Sequence, residues 1–282
     1  MGKVIKAPGS NAAEYGEYAF YAYYGCTHNC EYCYLKQGRF KKVLGIDKPT
    51  LKREFRTESD VVRYLQRDIE DMWEVLQKCG VFFVFNTDPF LKETYRLTLT
   101  AMDMLLNYQI PITLLTKSAE FVNPLNPMFY VDMCDVMSKY KGSSRRVAFG
   151  FTLTGHDELE PNASSNEDRI RAMRMLHDSG NIVWASIEPI IDLSSSFDMI
   201  YKSRHICQHY KIGLLKGGKY NAAELKSFIT EITKMLSEAG STVYFKDSMI
   251  KKAGYFSRAD LGISLDRKCL VYSDYDIFKN LR

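Results

Sequence analysis

The stretch VFFVFNTD (Val81–Asp88) indicates the class of fold. Five consecutive apolar residues are typical of a parallel strand that is covered on both faces, and polar residues follow where this strand ends. A helix is predicted before it, from about Glu58 to Cys79, with Thr57 or Ser59 as its N-cap. The apolar positions of this helix recur every three or four residues and give it one buried face: Val61, Leu65, Ile69, Met72 and Leu76.

The order of strand and then helix repeats along the chain. The other predicted strands are Glu17–Tyr24, Ile110–Leu115, Val147–Leu153, Ile182–Ile187, Ile212–Leu215 and Thr242–Phe245. The other predicted helices are Leu91–Asn107, Met128–Tyr140, Glu167–Ser179, Ser194–Tyr210 and Ala222–Ala239. About six β/α units predict an α/β fold with parallel strands, closed or open as a barrel, and with helices outside. In such folds the reactive groups lie where strands end. The polar residues at the predicted strand ends are Asn86–Asp88, Lys117, Thr152, Thr154 and Glu188.

Length and composition are those of one globular domain. The chain has 282 residues, of which 46% are apolar and 26% charged, so a sizeable core can form. We expect a single domain over residues 1–282, with a core from about 17 to 245 and a C-terminal extension over 246–282. The longest apolar runs have the length of strands and the first residues are polar, so neither a membrane span nor a signal peptide is expected. A cytoplasmic protein without a membrane partner is predicted.

Three cysteines are closely spaced in CTHNCEYC, as Cys26, Cys30 and Cys33. One loop with this spacing can hold a 4Fe–4S cluster through three thiolates, which leaves one iron open to a small molecule. Zinc with His28 as a fourth ligand is the alternative, although no second pair of cysteines accompanies the loop. The remaining cysteines are scattered singly and indicate core or incidental thiols: Cys79, Cys134, Cys207 and Cys269.

The chain resembles the radical S-adenosylmethionine (radical SAM) superfamily and, within it, the spore photoproduct lyase-like branch with its phage-borne relatives. The matching motifs are GCTHNCEYCY (25–34), NTDPF (86–90) with Glu93, LLTKS (114–118), FTLTG (151–155), Glu160-Pro161 with Arg169, and SIEPIID (186–192). The resemblance implies a partial (β/α)6 TIM-like barrel and a 4Fe–4S cluster on the three cysteines, with S-adenosylmethionine (SAM) on the fourth iron. It also implies that an electron from a donor such as flavodoxin or ferredoxin cleaves SAM to methionine and a 5′-deoxyadenosyl radical, which abstracts hydrogen from a substrate.

The same resemblance implies which residues contact SAM. Tyr32 would meet the adenine, and Asn86-Thr87-Asp88 would bind the amino group, with Asp88 as the charged acceptor. Lys117 would pair with the SAM carboxylate. Further contacts around the ribose and the carboxylate would come from Thr152, Thr154 and Arg169. For Arg169, a structural ion pair with Glu160 is the alternative.

The sequence leaves the substrate open. No counterpart of the hydrogen-donating cysteine of spore photoproduct lyase follows the strand Val81–Phe85, so a reaction other than thymine-dimer repair is expected. Segment 36–56 carries eight basic and two acidic residues, which predicts either contact with nucleic-acid phosphates or a solvated loop. A small-molecule or peptide substrate is the alternative, and a zinc- or cluster-bearing binding module is a third, non-enzymatic one. His205 and His209, four positions apart on a predicted helix, are interpreted as solvent-facing rather than as metal ligands.

Overall fold

The computed structural model describes residues 3–8, 12–36, 47–83, 86–140, 146–261, 270–271 and 276–279. The described strands are β1 (Ile5–Lys6), β2 (Ala19–Phe20), β3 (Tyr23–Tyr24), β4 (Thr50–Leu51), β5 (Val81–Phe83), β6 (Ile112–Thr116), β7 (Val147–Thr152), β8 (Ile182–Ile190), β9 (His209–Leu214) and β10 (Thr242–Phe245). The described α-helices are α1 (Glu58–Cys79), α2 (Tyr95–Asn107), α3 (Pro127–Lys139), α4 (Asn166–Asp178), α5 (Leu193–Ser203), α6 (Ala222–Glu238) and α7 (Asp247–Lys252).

Eight of these strands form one mostly parallel sheet. Their order is β1-β2-β5-β6-β7-β8-β9-β10, while β3 and β4 form a separate antiparallel pair. Only β1 runs antiparallel to its neighbour in the large sheet. Helices α1 to α6 each lie between successive parallel strands from β2 to β10, so the described chain makes the expected six β/α units. The predicted α/β class is therefore confirmed.

Apolar side chains cover both faces of the sheet, which explains the continuous apolar runs of its strands. One face, which we call the helix face, packs against the helices through residues such as Ile112 and Phe149. The opposite face carries Phe82, Ala148 and Trp184, among others, and is covered by Leu270, Val271 and Ile277 of the C-terminal extension. We call this second face the tail face. Part of the extension thus completes the core.

Helix α1 has the predicted bounds, and its N-terminus has the predicted cap. Thr57 Oγ1 accepts a hydrogen bond from Asp60 N at 3.2 Å, and Asp60 Oδ2 accepts one from Thr57 N, also at 3.2 Å. A capping box of this kind is worth about 1 kcal/mol. The helix also holds the edge of the sheet, because buried Asp68 Oδ2 accepts hydrogen bonds from the backbone of Val4 and Ile5. No helix in the described ranges has the length and apolar character needed to cross a membrane.

The prediction was wrong between residues 194 and 215. Helix α5 ends at Ser203, and β9 begins at His209, so the predicted helix Ser194–Tyr210 is two elements. His209 is fully buried, with Nδ1 2.7 Å from Thr242 Oγ1, and it does not share a helix face with His205. Pairing with β8 and β10 on both sides supplies backbone partners for 209–214, and this tertiary contribution outweighs the local helical pattern. The predicted strand Glu17–Tyr24 is likewise divided into β2 and β3, and the sequence did not predict β1 or β4.

Candidate metal centre and cofactor site

The cysteine loop follows β3 directly and is held by the segment after β7. Gly25 and Asn29 take positive φ angles of 85° and 57°, which let the chain turn tightly around the first cysteines. Glu31 N donates to Leu159 O at 2.9 Å, and Asn162 donates from its backbone to His28 O at 3.2 Å. The Asn162 side-chain amide also donates to Thr27 O at 2.9 Å. The loop therefore has a defined position beside the C-terminal end of a parallel strand.

The thiols of this loop lie in a partly desolvated environment. Cys30 is buried, and Cys26 and Cys33 are partly exposed. Burial raises the pKa of Cys26 and of Cys30, and the nearby Lys117 ammonium opposes both shifts. Because metal ions bind the thiolate, the positive charge of Lys117 favours the ligating form of these cysteines.

His28 does not have a nitrogen available to complete a zinc site. Its Nδ1 lies 3.2 Å from Asn162 O, and its Nε2 lies 2.9 Å from Asp88 Oδ2, so both ring nitrogens are engaged. Within the described residues, no group of three or more His, Cys, Asp and Glu side chains is placed to hold a single metal ion. The three thiolates of a cubane bind three different irons and need not converge on one ion. Among the residues that the structure describes, the donor set is thus three thiols and no fourth side chain, which fits a cluster with one open iron.

Asp88 connects the cysteine loop to the ends of β5 and β6. Its Oδ1 accepts hydrogen bonds from Phe90 N at 2.9 Å and from Thr116 Oγ1 at 2.7 Å. Its Oδ2 accepts one from Lys117 N at 2.8 Å and contacts His28 Nε2. Burial would raise the pKa of Asp88, but His28 and these hydrogen bonds hold it below its ordinary value. A carboxylate accepts about four hydrogen bonds, so this geometry favours a positioning role over the expected contact with the SAM amino group.

Glu160 joins Tyr32 of the cysteine loop to Arg169 of α4. The Tyr32 hydroxyl donates to Glu160 Oε1, and Arg169 Nη2 donates to Oε2 at 2.6 Å. Both side chains of the Glu160–Arg169 pair are fully buried. Arg169 also donates from Nε to Ser164 O and from Nη1 to Thr152 O, each at 2.8 Å. The structure therefore contains the structural ion pair that was the alternative for Arg169.

Three of the expected SAM contacts keep polar atoms available. Thr87 Oγ1 is buried and has no hydrogen-bond partner in the described part of the chain. Lys117 Nζ lies 3.9 Å from Glu160 Oε1 and 5.5 Å from the centre of the Tyr32 ring, without a closer acceptor among the described residues. The Thr152 side chain is buried and aligned with Ser186 of β8. Two other expected contacts already accept hydrogen bonds within the protein. Thr154 Oγ1 accepts one from His156 N at 3.2 Å, and Asn86 Oδ1 accepts one from the Tyr34 hydroxyl at 3.0 Å.

A second group of polar residues lies along β8 and β9 and directly after β10, and only Glu188 was singled out from the sequence. We call it the β8–β10 polar cluster; its members are Glu14, Tyr15, Ser186, Glu188, Lys211 and Lys246. Lys211 is fully buried within β9. A lysine in the middle of the apolar strand HYKIGL is the signal that could have predicted it.

The structure covers the basic segment 36–56 only in part, since residues 37–46 lie outside the described residues. Lys52 does not offer its charge to a phosphate. It is 2% exposed, and its Nζ lies 4.0 Å from the centre of the Tyr21 ring and 5.2 Å from that of Tyr24. Burial, with a contribution from Lys6, lowers its pKa to about 7.

A cavity of about 330 Å³ lies beside the cysteine loop, lined among others by His28, Ser118 and Ser164. None of the expected SAM contacts lines this cavity, so the expected SAM site does not lie in it.

The chain matches no protein-family model, and no curated protein is significantly similar to it. The functional conclusion therefore depends on the motifs and on the geometry of this site.

Proposed function

We propose that this chain is a radical SAM enzyme of the spore photoproduct lyase-like branch, with a 4Fe–4S cluster on Cys26, Cys30 and Cys33. The observation that supports the proposal most directly is the way in which the cysteine loop is held. Backbone hydrogen bonds hold the loop that carries the three thiols beside strand ends, while the neighbouring histidine is engaged through both ring nitrogens. That arrangement supports three protein ligands and one open iron, as the CTHNCEYC spacing predicts.

The polar groups around the loop divide into two roles in this proposal. Lys117 and the Thr87 hydroxyl would bind SAM, because Lys117 lies near the Cys26 and Cys30 thiols and Thr87 Oγ1 has no partner among the described residues. Thr152 would bind it as well, as the resemblance implies. Tyr32 would hold the adenine, and its hydroxyl is fixed by the hydrogen bond that it donates to Glu160. A second set of residues already makes its hydrogen bonds within the protein and positions the residues that bind SAM. This set consists of Asp88, Thr154 and Arg169. A cluster held by these cysteines would supply the electron for reductive cleavage of SAM, and the resulting 5′-deoxyadenosyl radical would be the species that abstracts hydrogen from the substrate.

The finer fold and the remaining partners belong to the same proposal. Six β/α units with parallel strands support a partial (β/α)6 barrel of the radical SAM type. Such an enzyme needs a low-potential electron donor of the flavodoxin or ferredoxin class, and we propose that it works in the cytoplasm. A nucleic-acid substrate is supported only by the basic sequence of segment 36–56. Lys52 weakens this support because its side chain is buried and does not offer its charge to a phosphate.

The test of the function is reductive SAM cleavage. The protein is reconstituted anaerobically with iron and sulfide, reduced with dithionite in the presence of SAM, and assayed for 5′-deoxyadenosine. We expect the product from the wild type and none from Cys30→Ala, with Cys134→Ala as the matched control, because Cys134 is an exposed cysteine on α3. Stoichiometric zinc, no cluster and no product would instead support the binding-module alternative.

A further inference from the structure

We propose that the β8–β10 polar cluster binds the ammonium group of an amine-bearing small molecule or peptide side chain. This inference depends on the proposed function, because it assigns a substrate class to the same enzyme. It favours the small-molecule or peptide alternative over a polynucleotide.

The cluster lies on the same face of the sheet as one of the proposed SAM contacts. Thr152 of β7 pairs in register with Ser186 of β8, and Ser186 pairs with Lys211 of β9. Neighbouring strands are about 4.8 Å apart, so Thr152 and Lys211 are separated by about 10 Å across the sheet. A small molecule bound at the cluster would therefore lie within reach of a group held near Thr152.

The charged side chains of the cluster form one connected network. Lys246 Nζ donates to Glu188 Oε1 at 2.6 Å and lies 3.0 Å from Glu14 Oε2. The Tyr15 hydroxyl donates to Glu188 Oε2 at 2.7 Å and lies 3.3 Å from Ser186 Oγ. Lys211 Nζ donates to Glu14 O and lies 4.1 Å from the centre of the Tyr15 ring.

The backbone of β9 leaves room for this network. A Cβ added at Gly213 would lie 2.8 Å from Lys246 Cδ and 3.1 Å from Glu188 Cδ. Glycine at this position therefore allows the Lys246–Glu188 pair to form against the strand. Replacing Gly213 by alanine should displace the pair without changing a charge.

The charges of the cluster are arranged in two layers. Lys211 and Tyr15 form the buried layer, with exposed fractions of 0% and 3%. In the outer layer, the side chains of Glu188 and Glu14 are 26% and 19% exposed, whereas Lys246 is 13% exposed. The two carboxylates that solvent reaches therefore share a single accessible lysine, and the second lysine of the cluster, Lys211, balances the charges from the buried layer.

This layering selects the chemistry of the ligand. Carboxylate oxygens accept more than one hydrogen bond each, and Glu14 Oε1 has no partner among the residues that the structure describes. A ligand ammonium brings several donors and one positive charge, which match the spare acceptor of Glu14 and the two carboxylates of the outer layer. An anionic ligand would meet two carboxylates at the same surface, so phosphates are disfavoured.

The expected ligand class can be tested without a cluster or SAM. Isothermal titration calorimetry is performed on the full chain with three probes of equal carbon-chain length: cadaverine, pentanediol and glutarate. We expect saturable millimolar binding of cadaverine and no binding of the neutral or anionic probe. Glu188→Gln and Glu14→Gln should each weaken cadaverine binding by about tenfold, because each removes one charge-assisted hydrogen bond. Gly213→Ala should weaken it as well, and the exposed Glu74→Gln should leave it unchanged.

Each outcome decides the inference separately from the proposed function. Equal binding of pentanediol, binding of glutarate, no saturable binding of cadaverine, or an equal effect of Glu74→Gln would each overturn the ammonium site. If 5′-deoxyadenosine forms in the assay above but cadaverine does not bind, the proposed function stands and this inference falls. If cadaverine binds as expected and no 5′-deoxyadenosine forms, the ammonium site stands and the enzymatic proposal is the one that fails.

Discussion

His28 Nε2 lies 2.9 Å from Asp88 Oδ2. This contact connects the cysteine loop to the segment that follows the strand Val81–Phe83. The two residues are 60 positions apart in the sequence, and both are almost fully buried. Asp88 extends the link to β6 through Thr116 and the backbone of Lys117. The position of the cysteine loop thus depends on polar contacts that join three separate parts of the chain.

Asp88→Ala should destabilise the protein by about 3–5 kcal/mol, because it leaves His28, Thr116 and two backbone N–H groups without their buried acceptor. Urea unfolding measures the loss. The control is Asp135→Ala on the exposed side of α3, which should change the free energy of unfolding by no more than about 0.5 kcal/mol. A similarly small effect of both substitutions would contradict the role of Asp88 as the acceptor that joins the cysteine loop to β6.

The Glu160–Arg169 pair should show strong coupling in a double-mutant cycle of Glu160→Gln and Arg169→Met. Both side chains are fully buried, and removal of one partner leaves the other charge uncompensated, which typically costs about 3–5 kcal/mol. The matched control on the same helix is Asp168–Arg171, an ion pair 2.7 Å apart with side chains 46% and 66% exposed. Its coupling should lie between about 0 and 1 kcal/mol. Equal coupling energies for the two pairs would show that burial does not distinguish them.

His156 should make the stability of the protein depend on pH. Burial disfavours its charged form, but hydrogen bonds to Glu158 and Asp192 raise its pKa above the ordinary value. The stabilisation is therefore complete below the unfolded-state pKa of about 6.5, and it is lost as pH rises through the higher folded-state pKa. The side chains of Glu158 and Asp192 are 68% and 45% exposed, so the contribution should not exceed about 1 kcal/mol.

The measurement is the difference in unfolding free energy between the wild type and His156→Gln, taken near pH 6 and near pH 9. The difference should be larger at the lower pH. His177→Gln is the control, since its imidazole pairs with the exposed Asp178 at the end of α4. A larger effect of His156→Gln at high pH would reverse the predicted sign.

Gly150→Ala should destabilise the sheet by about 1–3 kcal/mol through overpacking. An added Cβ would lie 2.2 Å from the Trp184 ring and 2.5 Å from Leu114 O, and Trp184 is fully buried on the tail face. Thermal unfolding reports the loss, and near-ultraviolet circular dichroism reports displacement of the tryptophan. Unchanged stability together with an unchanged tryptophan signal would contradict the described packing.

The fold was largely predictable because its signals are local. The helix Glu58–Cys79 is bounded by a capping box and a following glycine, and the strand Thr242–Phe245 has the predicted bounds. The failure at His209 has a different origin, since pairing with two neighbouring strands decides its conformation and a local window does not include them. The short strand Ile5–Lys6 was missed because its partners are distant, including the backbone contacts of Val4 and Ile5 with Asp68.

The sequence could predict that the cysteine loop lies beside the strand-end residues Asp88 and Lys117, but not how those residues are bonded. A motif fixes which residue types occur, but it does not show how many hydrogen bonds each side chain already makes. Asp88 and Arg169 were expected as SAM contacts, and the structure shows each of them engaged by several protein groups. Lys211 and Lys246 come to Tyr15 only through the arrangement of the strands, which the sequence pattern did not contain.

The most direct test of the central claim is electron paramagnetic resonance of the reduced, anaerobically reconstituted protein, with and without SAM. The account predicts about four irons per chain, a reduced 4Fe–4S signal, and a change in that signal when SAM occupies the open iron. Cys26→Ala, Cys30→Ala and Cys33→Ala should each lose the signal, and Cys79→Ala should retain it. One zinc per chain, or a 4Fe–4S signal that SAM leaves unchanged, would contradict the account.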